Sequence, residues 1–199
     1  MDDRLFETVH RFAGATPWLH TAADGYASYG AAVFAVLILA GWWIARRSSD
    51  PARMGAAVCA GVATLLAVGL NQPIVHAVAR PRPYTAHPGL VVLAHRSTDF
   101  SFPSDHATMA GAAALGLLLV SRRLGLVAVL AALAMAAARV YVGAHYPGDV
   151  AAGLLLGGLV AALLYAACRT ALARLVIAAG RTRLRPLLAP GPQPAGEAP

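Results

Sequence analysis

Residues 124–142, LGLVAVLAALAMAAARVYV, and residues 148–168, GDVAAGLLLGGLVAALLYAAC, flank the short polar turn Gly143-Ala144-His145-Tyr146-Pro147. A helix that crosses a bilayer needs about 20 mainly apolar residues, and each of these runs meets that length. The pair therefore reads as a membrane helical hairpin with a histidine at its bend. Working outward, three further apolar runs extend from Tyr26 to Ile44, Met54 to His76 and Ser104 to Val120. Composition agrees: of 199 residues, 58% are hydrophobic and 13% charged, and the mean hydropathy is +0.61. A soluble domain carries about 25% charged residues, so the predicted fold class is all-α, a polytopic membrane helix bundle of five to six helices.

The remaining segments complete one integral membrane domain over residues 1–185. Leu5, Phe6, Val9, Phe12 and Ala13 recur at helical spacing among Arg4, Glu7 and Arg11, which predicts an amphipathic interfacial helix within residues 1–22, stopping before Pro17. The start, Met1-Asp2-Asp3-Arg4, is acidic and unlike a cleavable signal peptide. The transmembrane bundle is expected over residues 26–180, with Ala171–Gly180 either continuing the last helix or lying on the surface. Residues 186–199, rich in Pro, Gly and Ala, read as a disordered tail. Cys59 and Cys168 both lie inside apolar runs and read as small core residues.

All 16 Lys+Arg positions are arginine, and the formal net charge is +7. Such a balance also occurs in nucleic-acid-binding proteins, but here arginines at helix ends account for it, and no nucleic-acid partner is expected. Arg46, Arg47 and Arg53 fill one interhelix loop, Arg122 and Arg123 another, and Arg169, Arg174, Arg181, Arg183 and Arg185 follow the last span. Five spans place all three groups on one side, which the positive-inside rule makes cytoplasmic. A different polar set lies outside: Arg80, Arg82, His87, His95, Arg96, Asp99, Asp105, His106, Arg139, His145 and Asp149.

Three outer segments concentrate that set. Ala79-Arg80-Pro81-Arg82-Pro83-Tyr84 leaves the second span, where snorkelling arginines before helix-ending prolines are the plain structural reading. Phe102-Pro103-Ser104-Asp105-His106 opens the third span. Ser104 fits an N-cap and Asp105 a first-turn acid, but His106 has no structural purpose there, and a helix N-terminus also suits an anion. Arg139 through Asp149 joins the fourth and fifth spans. An arginine at an apolar helix end needs a partner or a ligand, and His145 with Asp149 has the spacing of a base and its orienter, or of a structural pair. Together the segments supply guanidiniums that grip an oxyanion bidentately, two histidines and a carboxylate. That inventory suits phosphoryl transfer without metal or cofactor: one histidine attacks phosphorus, the other protonates the leaving oxygen, and the arginines stabilise equatorial charge. Arginines beside His106, His145 and Asp149 would repel a metal cation.

These segments resemble the three-part signature of the type 2 phosphatidic acid phosphatase superfamily, which is related to vanadium haloperoxidases: Lys-x6-Arg-Pro, Pro-Ser-Gly-His and Ser-Arg-x5-His-x3-Asp. Arg82-Pro83 matches the end of the first part, Pro103-Ser104-Asp105-His106 the second, and Arg139, His145 and Asp149 the third at the family spacing. The resemblance implies that His145 forms a phosphohistidine, Asp149 orients it, His106 is the general acid, and Arg82, Arg139 and Ser104 bind phosphate. It also implies a bundle typically of six helices, the sixth supplied at either end of the chain. Val75 occupies the lysine position, Ala138 that of the serine before the arginine, and Asp105 that of the glycine. His76, Gln72 and Arg80 lie near Val75 and are candidates for the missing phosphate donor. Pro-Ser-Asp-His is similar to the bacitracin-resistance type of undecaprenyl-diphosphate phosphatase, so Asp105 joins the expected substrate-binding set. The expected substrate is undecaprenyl diphosphate, hydrolysed on the outer face of a bacterial inner membrane to release phosphate and recycle the carrier. Phosphatidic acid, phosphatidylglycerol phosphate, another polyprenyl phosphate, or noncatalytic binding and transport of such lipids are the alternatives. A serine protease built on Ser104 is not supported, because no Gly-x-Ser-Gly surrounds it.

Overall fold

The computed structural model describes residues 2–87 and 92–188, and every element found in them is helical. In chain order these are α1 (Asp2–Ala15), a 3-10 turn (Pro17–Leu19), α2 (His20–Tyr29), α3 (Ala31–Ser48), α4 (Pro51–Val78), α5 (Pro83–Ala86), α6 (Asp105–Val120), α7 (Arg122–Tyr141), α8 (Pro147–Ala179) and α9 (Arg185–Leu188).

Helix boundaries follow local chemistry. Asp50 caps α4, accepting from Ala52 N at 2.8 Å, with Pro51 at the first helical position. Ser104 caps α6, as its sequence position predicts. Gly143, at φ +78, turns the chain out of α7 in a conformation that glycine adopts without the clash a Cβ brings. Pro147 then opens α8.

Helix α6 is the hub. Ala107, Ala110, Ala112, Ala113 and Leu117 are fully buried, and α3, α4, α7 and α8 all pack on it. Small residues permit the approach: a Cβ on Gly157 of α8 would collide with the backbone of Thr108 and Ala112, and one on Gly116 would lie 2.8 Å from Ala60 Cα of α4. In lipid, where apolar contact with solvent costs nothing, such close packing drives helix association. The outer surface is inverted relative to a soluble protein. Leu155, Leu159 and Leu163 form an exposed stripe on α8, and Leu65 on α4 is 78% exposed. This is a multi-pass membrane protein.

Several boundaries differ from the sequence expectation. Among the described residues, four helices are long and apolar enough to cross a membrane, whereas α6, with 16 residues, falls short of that length. Pro103 and Ser104 fix its outer end and the extended Ser121 its inner end, and because its neighbours surround it, it does not have to match the bilayer. Helix α8 runs unbroken for 33 residues, so 171–179 continue the last span. The amino-terminal segment is not one helix to residue 22: Thr16 and Pro17 divide α1 from α2, and α2 ends at Tyr29 inside the expected first span. Additional helical segments lie at the amino-terminal side, α1 and α2, and at the carboxyl-terminal side, α9. Residues 185–188 form a helical turn, pinned where Trp42 Nε1 donates to Leu187 O at 3.0 Å and Arg46 Nε to Pro186 O at 2.7 Å. The rest of the expected disordered tail lies outside the described residues.

Candidate active site

The carboxyl ends of α4 and α7 and the amino ends of α6 and α8 bring three separate sequence segments into one cluster. Helix α4 ends at Ala79 in a left-handed conformation, and Pro81 and Pro83 bias Arg80 and Arg82 toward extended backbone. The two arginines then go to opposite sides of His145. Arg82, 8% exposed, donates from Nε to Asp99 O at 2.9 Å and from Nη1 to Ala144 O at 3.2 Å, and its Nη1 lies 3.0 Å from His145 Nε2. Arg139, in the last turn of α7, reaches Ala27 O through Nη1 at 3.2 Å and His145 Nε2 through Nη2 at 3.3 Å. Its Nε is buried with no partner among the described residues. A buried guanidinium N–H without an acceptor is costly, and an oxyanion seated beside His145 would satisfy it.

His145 is 2% exposed, on the bend between α7 and α8. Its backbone N and that of Ala144 donate to Arg139 O at 3.3 and 3.1 Å, so the bend is fastened to the helix that carries the arginine. Ring chemistry follows from its neighbours. Nδ1 lies 2.8 Å from Ser101 O, a carbonyl that only accepts, so Nδ1 carries the proton. Nε2 faces two guanidinium donors and therefore presents its lone pair. Burial first, and then the Arg139 and Arg82 charges, push the imidazole down to about 4, while Asp149 opposes the shift. The ring is neutral at pH 7 in the tautomer a nucleophilic Nε2 requires.

Behind the ring lies a carboxylate hub. Asp149, fully buried, accepts from Tyr146 N at 2.8 Å, from Arg80 Nη1 at 2.7 Å and from the Ser101 hydroxyl. It stands 3.7 Å from His145 Nδ1, beyond hydrogen-bond reach. The expected His145–Asp149 pairing is thus mediated: Ser101 O takes the Nδ1 proton and Ser101 Oγ takes the carboxylate. Nothing in the sequence singles out Ser101.

The remaining expected residues divide. Ser104, fully buried, caps α6 and donates from its backbone N to Asp149 O at 3.1 Å. His106, half-buried in the first turn of α6, stands within Coulombic range of Arg139, His145, Asp105 and Arg82 and makes no hydrogen bond among the described residues. None of the three proposed substitutes for the motif lysine points at His145. Arg80 is bound on both sides by carboxylates, Asp149 and Asp2 (Nη2–Oδ2 2.8 Å), and its guanidinium lies 4.0 Å over the Tyr146 ring. Arg80 thus already has two carboxylate partners. Gln72 donates to Asp105 Oδ1 at 2.8 Å, and His76 is exposed, edge-on to Phe100. Asp105 is tethered a second time by Asn71 Nδ2 at 2.6 Å, a fully buried residue that the sequence does not mark. Val75 is buried.

The chain is similar to known proteins. The chain is 29% identical to the undecaprenyl-diphosphatase BcrC of Bacillus subtilis, over 82% of this chain and 80% of that protein. It is 35% identical to a decaprenylphosphoryl-5-phosphoribose phosphatase of Mycobacterium tuberculosis, over 74% of this chain and 79% of that one. Among solved structures, a transmembrane PAP2-type phosphatidylglycerolphosphate phosphatase from Bacillus subtilis superposes with a TM-score of 0.62 at 25% identity, covering 84% of this chain and 86% of its own. The PAP2 superfamily profile matches residues 56–173, which contain every outer segment described above, and the chain belongs to the PAP2 superfamily as a multi-pass membrane phosphatase.

Proposed function

We propose that the chain hydrolyses undecaprenyl diphosphate to undecaprenyl phosphate and inorganic phosphate at the extracytoplasmic face of the bacterial inner membrane. The observation that carries this reading is the lone pair of His145 Nε2, aimed between Arg82 and Arg139 beside an unpartnered guanidinium N–H. In the proposed reaction the terminal phosphate displaces nothing covalent on entry. Nε2 attacks its phosphorus in line with the bridging oxygen, a P–N bond forms, the P–O bond breaks, and His106 gives its proton to the departing undecaprenyl phosphate. Water, deprotonated by His106, then attacks the phosphohistidine, the P–N bond breaks, and phosphate leaves with His145 regenerated. Arg82, Arg139 and Ser104 hold the equatorial oxygens, where charge accumulates.

Substrate and sidedness have separate support. Two relatives are named for polyprenyl-linked phosphates, one a diphosphate and one a phosphoribose ester. The decisive arginines lie at one end of the bundle, and Arg46, Arg47, Arg53, Arg122 and Arg123 lie at the other, which the positive-inside rule assigns to the cytoplasm. The test is phosphate release by purified protein from undecaprenyl diphosphate, decaprenylphosphoryl-5-phosphoribose, phosphatidic acid and phosphatidylglycerol phosphate, with and without EDTA. Undecaprenyl diphosphate is expected to give the highest kcat/KM, unchanged by EDTA and abolished in His145→Ala. Turnover confined to another of these lipids contradicts the substrate assignment, and EDTA-sensitive turnover contradicts the mechanism.

A further inference from the structure

We propose that Ser101 is a positioning residue for His145, the element through which Asp149 acts on the nucleophile; this rests on His145 being the nucleophile as read above. Ser101 is fully buried and each of its polar groups is committed. Its N–H donates to Arg80 O at 2.8 Å, its carbonyl accepts the His145 Nδ1 proton at 2.8 Å, and its hydroxyl donates to Asp149 Oδ2. The carbonyl fixes the tautomer. The hydroxyl fixes which way the carboxylate faces. As Nε2 bonds to phosphorus the imidazole gains positive charge, and Oδ2, 3.7 Å from Nδ1, is the nearest anion to offset it. The remaining donor to Oδ2, Tyr146 N, belongs to the first turn of α8 and secures the helix, not the ring. Without the Ser101 hydroxyl, Oδ2 keeps Tyr146 N and Oδ1 keeps Arg80, but the carboxylate loses its hydrogen bond to the residue that holds the imidazole, while the carbonyl still holds the ground-state tautomer. The loss therefore falls on the chemical step and spares substrate binding.

Ser101→Ala keeps the carbonyl and deletes the hydroxyl. Assayed per folded, monodisperse protein on dioctanoyl phosphatidic acid and on undecaprenyl diphosphate, it is expected to lower kcat about 10- to 100-fold, by the same factor on each lipid turned over, with KM within about twofold. Because the hydroxyl works through Asp149, Ser101→Ala in an Asp149→Asn background is expected to cost less than about threefold more. Ser101→Thr, which retains the hydroxyl, is expected to exceed Ser101→Ala, and decides the matter if the alanine variant folds in low yield. An unchanged kcat, a loss carried by KM, a full multiplicative loss in the Asp149→Asn background, or Ser101→Thr no better than Ser101→Ala overturns the inference. Failure of the substrate reading alone shows as turnover on phosphatidic acid only and leaves this test standing. Retained activity in His145→Ala removes the nucleophile and the inference with it.

Discussion

The two ends of the bundle use arginine in opposite ways. At the outer end Arg82 and Arg139 are drawn into the protein around one imidazole, and Arg80 is clamped between Asp149 and Asp2. At the other end Arg47, Arg53, Arg122, Arg123, Arg169 and Arg174 are exposed, and Arg46 and Arg47 lie 5.4 and 5.2 Å over the Trp43 ring. A buried guanidinium persists only with partners or a ligand, whereas an exposed one needs neither. The same side chain is therefore buried among partners at one end and exposed at the other.

The largest effect expected from breaking that contrast is at the outer end. Arg82→Ala or Arg139→Ala is expected to reduce kcat/KM by about 10²- to 10³-fold, the scale for removing one transition-state donor, while Arg47→Ala and Arg122→Ala stay within about twofold in the same phosphate-release assay. Equal losses at both ends would erase the distinction. Next is Arg80, proposed to act by holding Asp149: Arg80→Ala is expected to lower kcat about tenfold or more with little change in KM. A rise in KM alone would place Arg80 in the phosphate-binding set. Asp2→Ala, which removes only the outer half of the clamp, is expected to have a smaller effect in the same direction.

Acidity sharpens the contrast further. The folded His145 pKa, pushed down to about 4, lies below the value near 6.5 of an unfolded histidine. As pH falls from about 6.5 toward 4, the unfolded chain takes up a proton that the folded site refuses, so this site's contribution to stability is intact above that window and lost within it. Thermal unfolding in detergent is expected to show a falling Tm over this interval that is shallower in His145→Gln; identical slopes would contradict the neutral, cation-flanked ring. The smallest effect is backbone: Gly143→Ala, at φ +78, is expected to cost about 1 kcal/mol in stability.

The helical bundle and the three polar segments that meet at one of its ends were legible in the sequence because apolar run length and residue spacing are local signals. Residues whose roles arise from tertiary contact were not. Ser101 is one serine in an aromatic loop, and its importance comes from residues far along the chain, His145 and Asp149. Asp2 reads as an acid at a helix start, yet it also accepts from Gly148 N at 2.8 Å and so ties α1 to the bend that carries His145. Spacing correctly joined His145 to Asp149 but could not reveal that a third residue lies between them. Arg80 and Arg82 both precede a proline in the sequence, and only the fold sends Arg82 to His145 and Arg80 to Asp149 and Asp2.

The most direct test of the account is to quench the enzyme during turnover of undecaprenyl diphosphate labelled with ³²P in its terminal phosphate and locate the label. The account predicts an acid-labile, base-stable phosphoryl group on the peptide containing His145, absent in His145→Ala together with turnover. Phosphate release at the normal rate from His145→Ala, or label fixed on another residue, would contradict it.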